Sequence, residues 1–126
     1  MSHAPSQALL AELRALSDLL RTPEGDCVRP SPPLVAALSA FEAKAREWIR
    51  SIEAAETEKR FLGAHPRARH YADELRGDRE RLLTEIGDRI AQTREGNPDH
   101  TRIADLIRAW THHVESIARI EARASN

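Results

Sequence analysis

The stretch Tyr71–Ile90 reads YADELRGDRERLLTEIGDRI, and its pattern decides the fold. Apolar side chains recur in it at the spacing of one buried helical face, at Leu75, Leu82, Leu83, Ile86 and Ile90. Arg79 falls on the same face, between Leu75 and Leu82. A permanently charged guanidinium in that position needs a carboxylate partner or a route to water. The stretch therefore predicts a core-facing helix with one arginine on its buried side.

Similar spacing elsewhere predicts three more helices, so that the four cover about residues 5–21, 32–62, 66–94 and 98–124. Most of the glycine and proline residues lie in the breaks or in the first turn of the next helix, within residues 22–33, 63–66 and 95–98. In the last break, we expect Asn97 to cap the fourth helix and Pro98 to open it. Long helices joined by short connections fold back on one another. We therefore predict an all-α, antiparallel, up-down four-helix bundle that forms a single domain over residues 1–126.

All four helices contribute to the predicted core, and Trp48 and Trp110 are assigned to it rather than to a stacking surface. Besides those of the third helix, its members are Leu9, Leu10, Leu13, Leu16, Leu20, Leu34, Leu38, Phe41, Ala45, Trp48, Ile52, Ala55, Leu62, Ile103, Leu106, Ile107, Trp110, Val114, Ile117 and Ile120. Acid-then-base pairs four residues apart are expected on exposed faces, at Glu42/Arg46, Glu85/Arg89 and Glu115/Arg119.

Composition and charge exclude several classes of protein. The chain has 126 residues with a formal net charge of -1, whereas a free-standing nucleic-acid binder usually carries a basic excess. Cys27 is the only cysteine, so no internal disulfide is possible, which fits a reducing cytoplasm. The first residues lack the pattern of a signal peptide, and no apolar run is long enough to span a membrane. We therefore expect a cytoplasmic protein.

Histidine is the residue type that most suggests a site. His112 and His113 are adjacent, and neighbours on a helix point about 100° apart, so both cannot face one interior ion. His65, His70 and Asp73 could converge near the second break, but they would make only a loose metal site. The sequence contains no Ser/His/Asp set, no glycine-rich phosphate loop and no C-x-x-C motif. These features give no support to a hydrolase or transferase.

Two helices share the pattern L-x-x-acid-X-x-x-L, as L9-x-x-E-L-x-x-L16 and L75-x-x-D-R-x-x-L82. This pattern resembles the hemerythrin-like (HHE cation-binding) four-helix bundles, in which L-x-x-E-H-x-x-L supplies ligand histidines on the first and third helices. The run E56-T-E-K-R-F-L-G-A-H-P66 resembles the end of that family's second helix, and Y71-A-D-E-L-R-G-D-R-E-R-L-L83 the start of its third. The resemblance spans essentially the whole chain and implies descent from a di-iron protein.

The departures from the family pattern imply that the metal site has been lost. Leu13, Ile52, Leu75 and Arg79 stand where the resemblance places ligand histidines, and Ile117 and Ala118 where it places a carboxylate. Only Glu56 and His113 remain as ligands, whereas a di-iron centre needs imidazoles and carboxylates converging on each metal. Arg79 would also place a fixed positive charge against the cations.

The loss suggests a replacement, in which Glu56 forms a partly buried ion pair with Arg79 and His113 is hydrogen-bonded beside it. Glu53, Asp78 and Glu12 are rival partners for the guanidinium, and in another interpretation Arg79 extends to the surface at a helix edge.

The expected function is accordingly a non-catalytic binding or regulatory module without a cofactor. Its partner would be a protein, a small ligand or a second copy in a homodimer, and neither nucleic acid nor membrane. The alternative is a functional di-iron protein that binds or senses oxygen, with iron held by His113, Glu56, His70 and His65.

Overall fold

The computed structural model describes residues 5–21, 32–54, 66–97 and 99–124. These residues form four α-helices and no strand, which confirms the predicted all-α class. The helices are α1 Pro5–Arg21, α2 Pro32–Ala54, α3 Pro66–Arg94 and α4 His100–Ala124. None of these helices is both long enough and apolar enough to cross a membrane.

The helix bounds agree closely with the sequence prediction where the structure describes them. α1 and α3 have the predicted bounds, and α4 has the predicted end. The described part of α2 ends at Ala54, so the remainder of the predicted helix 32–62 lies outside the described residues. α4 begins at His100 rather than at residue 98.

The break between α3 and α4 explains the later start of α4. Gly96 has a φ of 82°, a left-handed conformation that glycine adopts without steric cost. The amide of Gly96 donates to the Thr93 carbonyl at 3.0 Å, and the amide of Asn97 donates to the Gln92 carbonyl at 3.1 Å, which is a Schellman ending for α3. Asn97 thus belongs to the end of α3, and the prediction that it caps the fourth helix was wrong.

Asp99 is the residue that caps α4. Its Oδ1 accepts a hydrogen bond from the Arg102 amide at 3.0 Å, and its carbonyl accepts from the Ile103 amide at 2.9 Å. A side-chain acceptor at this position satisfies one of the free amides at a helix start. The cap therefore fixes the start of α4 one residue after Asp99.

The four helices pack as a bundle. α1 contacts α2 and α4, and α3 contacts the same two helices. In the described residues, the backbones of α2 and α4 do not approach each other, but their large side chains meet across the centre. The rings of Phe41 and Trp110 lie edge to face there, with centroids 5.3 Å apart. Aromatic side chains therefore join the two helices that the backbone keeps apart.

The core is a single cluster drawn from all four helices. Its members are Leu9, Leu13, Leu16, Leu34, Leu38, Phe41, Ala45, Trp48, Ile49, Ile52, Leu75, Leu82, Ile86, Ile90, Ile103, Leu106, Ile107, Trp110, Val114, Ile117 and Ile120. Burial of a large apolar side chain stabilises the fold by about 1.5–3 kcal/mol. The predicted core is confirmed within the described residues, except that Leu10, Leu20 and Leu83 are only partly buried.

Only one of the three predicted surface pairs is present as an ion pair. Arg46 lies 3.5 Å from Glu42, whereas Arg119 donates to the hydroxyl of Ser116. Arg89 is only 8 % exposed, and its Nε and Nη1 have no hydrogen-bond partner in the described part of the chain. The expectation of an exposed Glu85/Arg89 pair was wrong, because position 89 adjoins Ile90 on the buried face of the helix.

Candidate functional site

Four buried residues with polar atoms, Ser6, Trp48, Trp110 and His113, form what we call the polar cluster. Ser6 comes from α1, Trp48 from α2, and Trp110 and His113 from α4. Trp110 and His113 lie three positions apart, so both project from the same side of α4. Three helices thus bring hydrogen-bonding groups together inside a largely apolar core.

The rings of the polar cluster contact each other edge to face. The centroid of the His113 ring lies 5.8 Å from that of Trp48 and 6.4 Å from that of Trp110, with interplanar angles of 86° and 85°. This arrangement aims the positive edge of one ring at the negative face of another and is favourable between aromatic groups. His113 is consequently held between two indoles, one from each of two helices.

In the first half of the polar cluster, formed by Ser6 and Trp48, the two residues are hydrogen-bonded to each other. The indole Nε1 of Trp48 donates to the hydroxyl of Ser6 at 3.0 Å, in a buried bond that joins α1 to α2. A hydrogen bond of this kind contributes about 0.5–1.5 kcal/mol to stability. Trp48 therefore combines apolar burial with a fixed polar contact.

In the second half of the polar cluster, formed by Trp110 and His113, the side-chain nitrogens have no hydrogen-bond partner among the described residues. His113 is only 4 % exposed, and neither Nδ1 nor Nε2 has a partner within the described ranges. Trp110 is fully buried, and its Nε1 also lacks a partner there. Buried polar atoms in folded proteins are normally satisfied by protein, water or ligand. The expected hydrogen bond to His113 is thus not made by any residue that the structure describes.

The environment of His113 keeps its imidazole neutral at physiological pH. Burial lowers the pKa of His113 from 6.5 to about 4, and the positive charges of Arg79 and His112 act in the same direction. A neutral imidazole has one nitrogen that donates and one that accepts a hydrogen bond. The polar cluster therefore offers His113 as both a donor and an acceptor, and Trp110 as a donor.

Arg79 is buried close enough to His113 for its charge to affect the imidazole. The residue is 3 % exposed, so the interpretation in which it extends to the surface was wrong. Arg79 takes part in at least one polar or electrostatic interaction. The expected partner, Glu56, lies outside the described residues, so their ion pair stays a prediction.

The rival acids for Arg79 have other basic neighbours or are exposed. Glu12 pairs with Lys44 at 2.6 Å across α1 and α2, and Asp78 accepts a hydrogen bond from Arg81. Glu53 is exposed on α2.

Two grooves of similar size border the polar cluster. The α3–α4 groove has a volume of about 400 Å³ and is lined by Tyr71, Leu75, Asp78, Arg81, Leu82, Glu85, Ala109, His112, His113 and Ser116. The α1–α2 groove has a volume of about 390 Å³ and is lined by Ala8, Leu9, Glu12, Lys44, Glu47, Trp48 and Ser51. Each groove thus reaches one half of the polar cluster, Trp48 in one case and His113 in the other.

The residues considered as metal ligands are not brought together in the described part of the chain. No group of three His, Cys, Asp or Glu side chains there could hold a metal ion. His70 is exposed and lies 3.1 Å from Glu74 in the next turn of α3, while His65 and Glu56 lie outside the described residues.

The sequence predicted His113 and Arg79 as site residues but missed the roles of Ser6 and the tryptophans. Trp48 and Trp110 were expected in the core, which is confirmed, but only as apolar residues. Ser6 lies near the start of α1 and carries no spacing signal, because its partner is far away in sequence on another helix. Comparison of the chain with protein-family models, curated proteins and solved structures returned no match.

Proposed function

We propose that the chain is a non-catalytic, hemerythrin-like binding or regulatory module that has lost its di-iron site. The observation that carries this proposal is the chemistry of the interior. Leu13, Ile52, Leu75 and Arg79, the four positions that the resemblance assigns to ligand histidines, are all buried. They thus point inward as ligands would, yet three are aliphatic and the fourth is a cation, and none of these can coordinate iron.

The helix order that the resemblance implies is supported by contacts between α1 and α2. Ser6 bonds to Trp48, and Glu12 pairs with Lys44, so the residue number rises along α1 as it falls along α2. That register is the one that antiparallel neighbours have. Together with the contact of each helix with the next one in the chain, it supports the antiparallel, up-down arrangement.

In this proposal, an ion pair of the buried Arg79 takes the structural place of the lost metal site. A buried guanidinium is stable only with compensating interactions, and a carboxylate is the partner that offers most. Glu56 is that carboxylate in our proposal, because it lies four residues after Ile52, which faces the core. The Glu56–Arg79 pair would then hold α3 to the chain that follows α2, as two metal ions would in a di-iron protein.

The chemistry of the same interior also supports a non-catalytic role in our proposal. His113 is the one buried histidine among the described residues, and its contacts are the rings of Trp48 and Trp110. A general base must lie within hydrogen-bonding reach of a substrate proton, and a second group must orient the base. The module instead binds a small ligand or a protein partner in the cytoplasm, alone or as a homodimer. The formal net charge of -1 gives no basis for binding nucleic acid.

Measurement of bound metal tests this proposal. We expect protein that is expressed in iron-supplemented cells and purified without chelators to contain less than about one iron per ten chains, and to lack near-ultraviolet charge-transfer absorption. About two irons per chain with that absorption would contradict the proposal and favour the di-iron oxygen-binding alternative.

A further inference from the structure

We propose that the α3–α4 groove binds a small neutral molecule with an apolar body and a hydroxyl head, and that the hydroxyl bonds to His113. This inference deepens the proposed function and rests on it, because a metal ion at His113 would occupy the same atoms. It specifies which of the two grooves is used and which chemical class of ligand it takes.

The hydrogen-bonding capacity of His113 is the first reason. Both ring nitrogens are buried without a partner in the described residues, although His113 lines the α3–α4 groove. Leaving a buried donor or acceptor unsatisfied is unfavourable, so a group that enters the groove and bonds to the imidazole gains free energy. A hydroxyl suits a neutral imidazole because it can both donate and accept.

The charges around the groove select a neutral head group. Arg79 lies near His113 and repels a cation, as its effect on the imidazole shows. Asp78 and Glu85 line the groove and act against an anion, and Arg81, which also lines it, is hydrogen-bonded to Asp78. Either charged head would also lose hydration on entering a partly enclosed site. A neutral hydroxyl avoids all three costs.

The remaining lining of the groove fits an apolar body. Leu75, Leu82 and Ala109 contribute aliphatic surface between α3 and α4. Tyr71 lines the same groove with 40 % of its surface exposed, and of the described large hydrophobic residues only Leu19 is similarly exposed. An exposed aromatic ring at the edge of the aliphatic part of the groove is suited to contact an aromatic or branched aliphatic ligand.

A series of four compounds on one scaffold tests the head group. The series is 3-phenylpropan-1-ol, 3-phenylpropionate, 3-phenylpropylammonium and propylbenzene, each titrated into ¹⁵N-labelled metal-free protein at pH 7. We expect the alcohol to bind in the millimolar range typical of a fragment, about 5- to 10-fold more tightly than the hydrocarbon. The two charged compounds should bind more weakly than the alcohol, and shifts should concentrate at groove residues such as Leu82 and Ser116.

Three variants assign the effect to the groove and to His113. Ala109→Phe fills the groove from an exposed position, so it should abolish binding of the whole series while leaving the melting temperature nearly unchanged. His113→Phe keeps a ring and removes both nitrogens, so it should remove the preference for the alcohol and retain hydrocarbon binding. His70→Gln is the matched control at an exposed histidine outside the lining of the groove and should keep that preference.

The outcomes separate this inference from the proposed function. It is overturned if metal-free protein binds none of the compounds, binds all four equally, or shows shifts concentrated at Lys44 and Glu47 in the α1–α2 groove. It is also overturned if His113→Phe, folded as judged by its NMR spectrum, keeps the preference for the alcohol. These results leave the loss of the di-iron site intact, whereas iron in the purified protein would defeat the proposed function itself.

Discussion

The α1–α2 interface and the α3–α4 interface have grooves of nearly equal volume, about 390 and 400 Å³, but differ in how their buried polar atoms are satisfied. At the α1–α2 interface, the indole of Trp48 donates to Ser6, and Lys44 pairs with Glu12 at the surface. At the α3–α4 interface, His113 has two unpartnered nitrogens within the described residues, and Arg79 lies buried nearby. Volume therefore does not distinguish the two grooves, whereas unmet hydrogen-bonding capacity within the described residues does.

The largest expected difference between the interfaces concerns their cations. Under the proposed Glu56–Arg79 pairing, Arg79→Met should destabilise the protein by about 3–5 kcal/mol, because it would leave the carboxylate of Glu56 without its partner. Lys44→Met removes a cation from an exposed pair and should cost less than about 1 kcal/mol. Urea denaturation at pH 7 measures both.

The same measurement identifies the partner of Arg79. If Glu56 is the partner, the Arg79→Met/Glu56→Gln double variant should be more stable than the sum of the two single effects by at least about 1 kcal/mol. Additive effects would rule out Glu56 as the ion-pair partner of Arg79.

The second prediction concerns pH and the buried imidazole. The pKa of His113 is lowered from 6.5 to about 4 in the folded protein, so the unfolded chain binds the extra proton first as the pH falls. Stability should therefore decrease as the pH falls from 6.5 to about 4, by about 3 kcal/mol in total for this group. The variant His113→Phe should show a correspondingly smaller decrease in thermal or urea denaturation over the same range. An equal pH dependence in both proteins would mean that His113 is not buried as described.

The third prediction concerns the satisfied interface. Ser6→Ala should cost about 1–3 kcal/mol, because the Trp48 Nε1 would be left buried without an acceptor. Adding Trp48→Phe to Ser6→Ala should cost less than the same change in the parent protein, since the unsatisfied donor is then removed. Denaturant midpoints of the four proteins give the coupling. If they show no coupling, the contrast between the two interfaces is lost.

The sequence was sufficient for the all-α, four-helix class because burial on a helix follows a short period. The spacing of Leu75, Leu82, Ile86 and Ile90 predicted the buried face of α3 with Arg79 on it, and the glycine and proline breaks predicted its bounds. The period was less reliable at the edge of the face, where Arg89 was expected at the surface and is buried. A long amphipathic side chain can cover the core from an edge position, so spacing alone does not decide its burial.

The site was predicted less completely than the fold. His113 was identified as a ligand position that remains from the family resemblance, and it is buried. Its contact with Trp48 and the bond from Trp48 to Ser6 depend on which residues of different helices lie at the same level along the bundle axis. That relation is set by packing in three dimensions and leaves no local pattern in the chain. The role of Asn97, which ends α3 rather than caps α4, likewise depended on the backbone geometry at Gly96.

The most direct test of a metal-free buried histidine is the NMR titration of the His113 ring. Long-range ¹H–¹⁵N spectra of the imidazole, recorded from pH 7.5 to 4 with and without added Fe²⁺, report its protonation and any metal bond. We predict a neutral ring with one protonated nitrogen, titration near pH 4, and signals that Fe²⁺ does not broaden. A pKa above 6, or selective loss of the His113 signals on addition of Fe²⁺, would contradict the account.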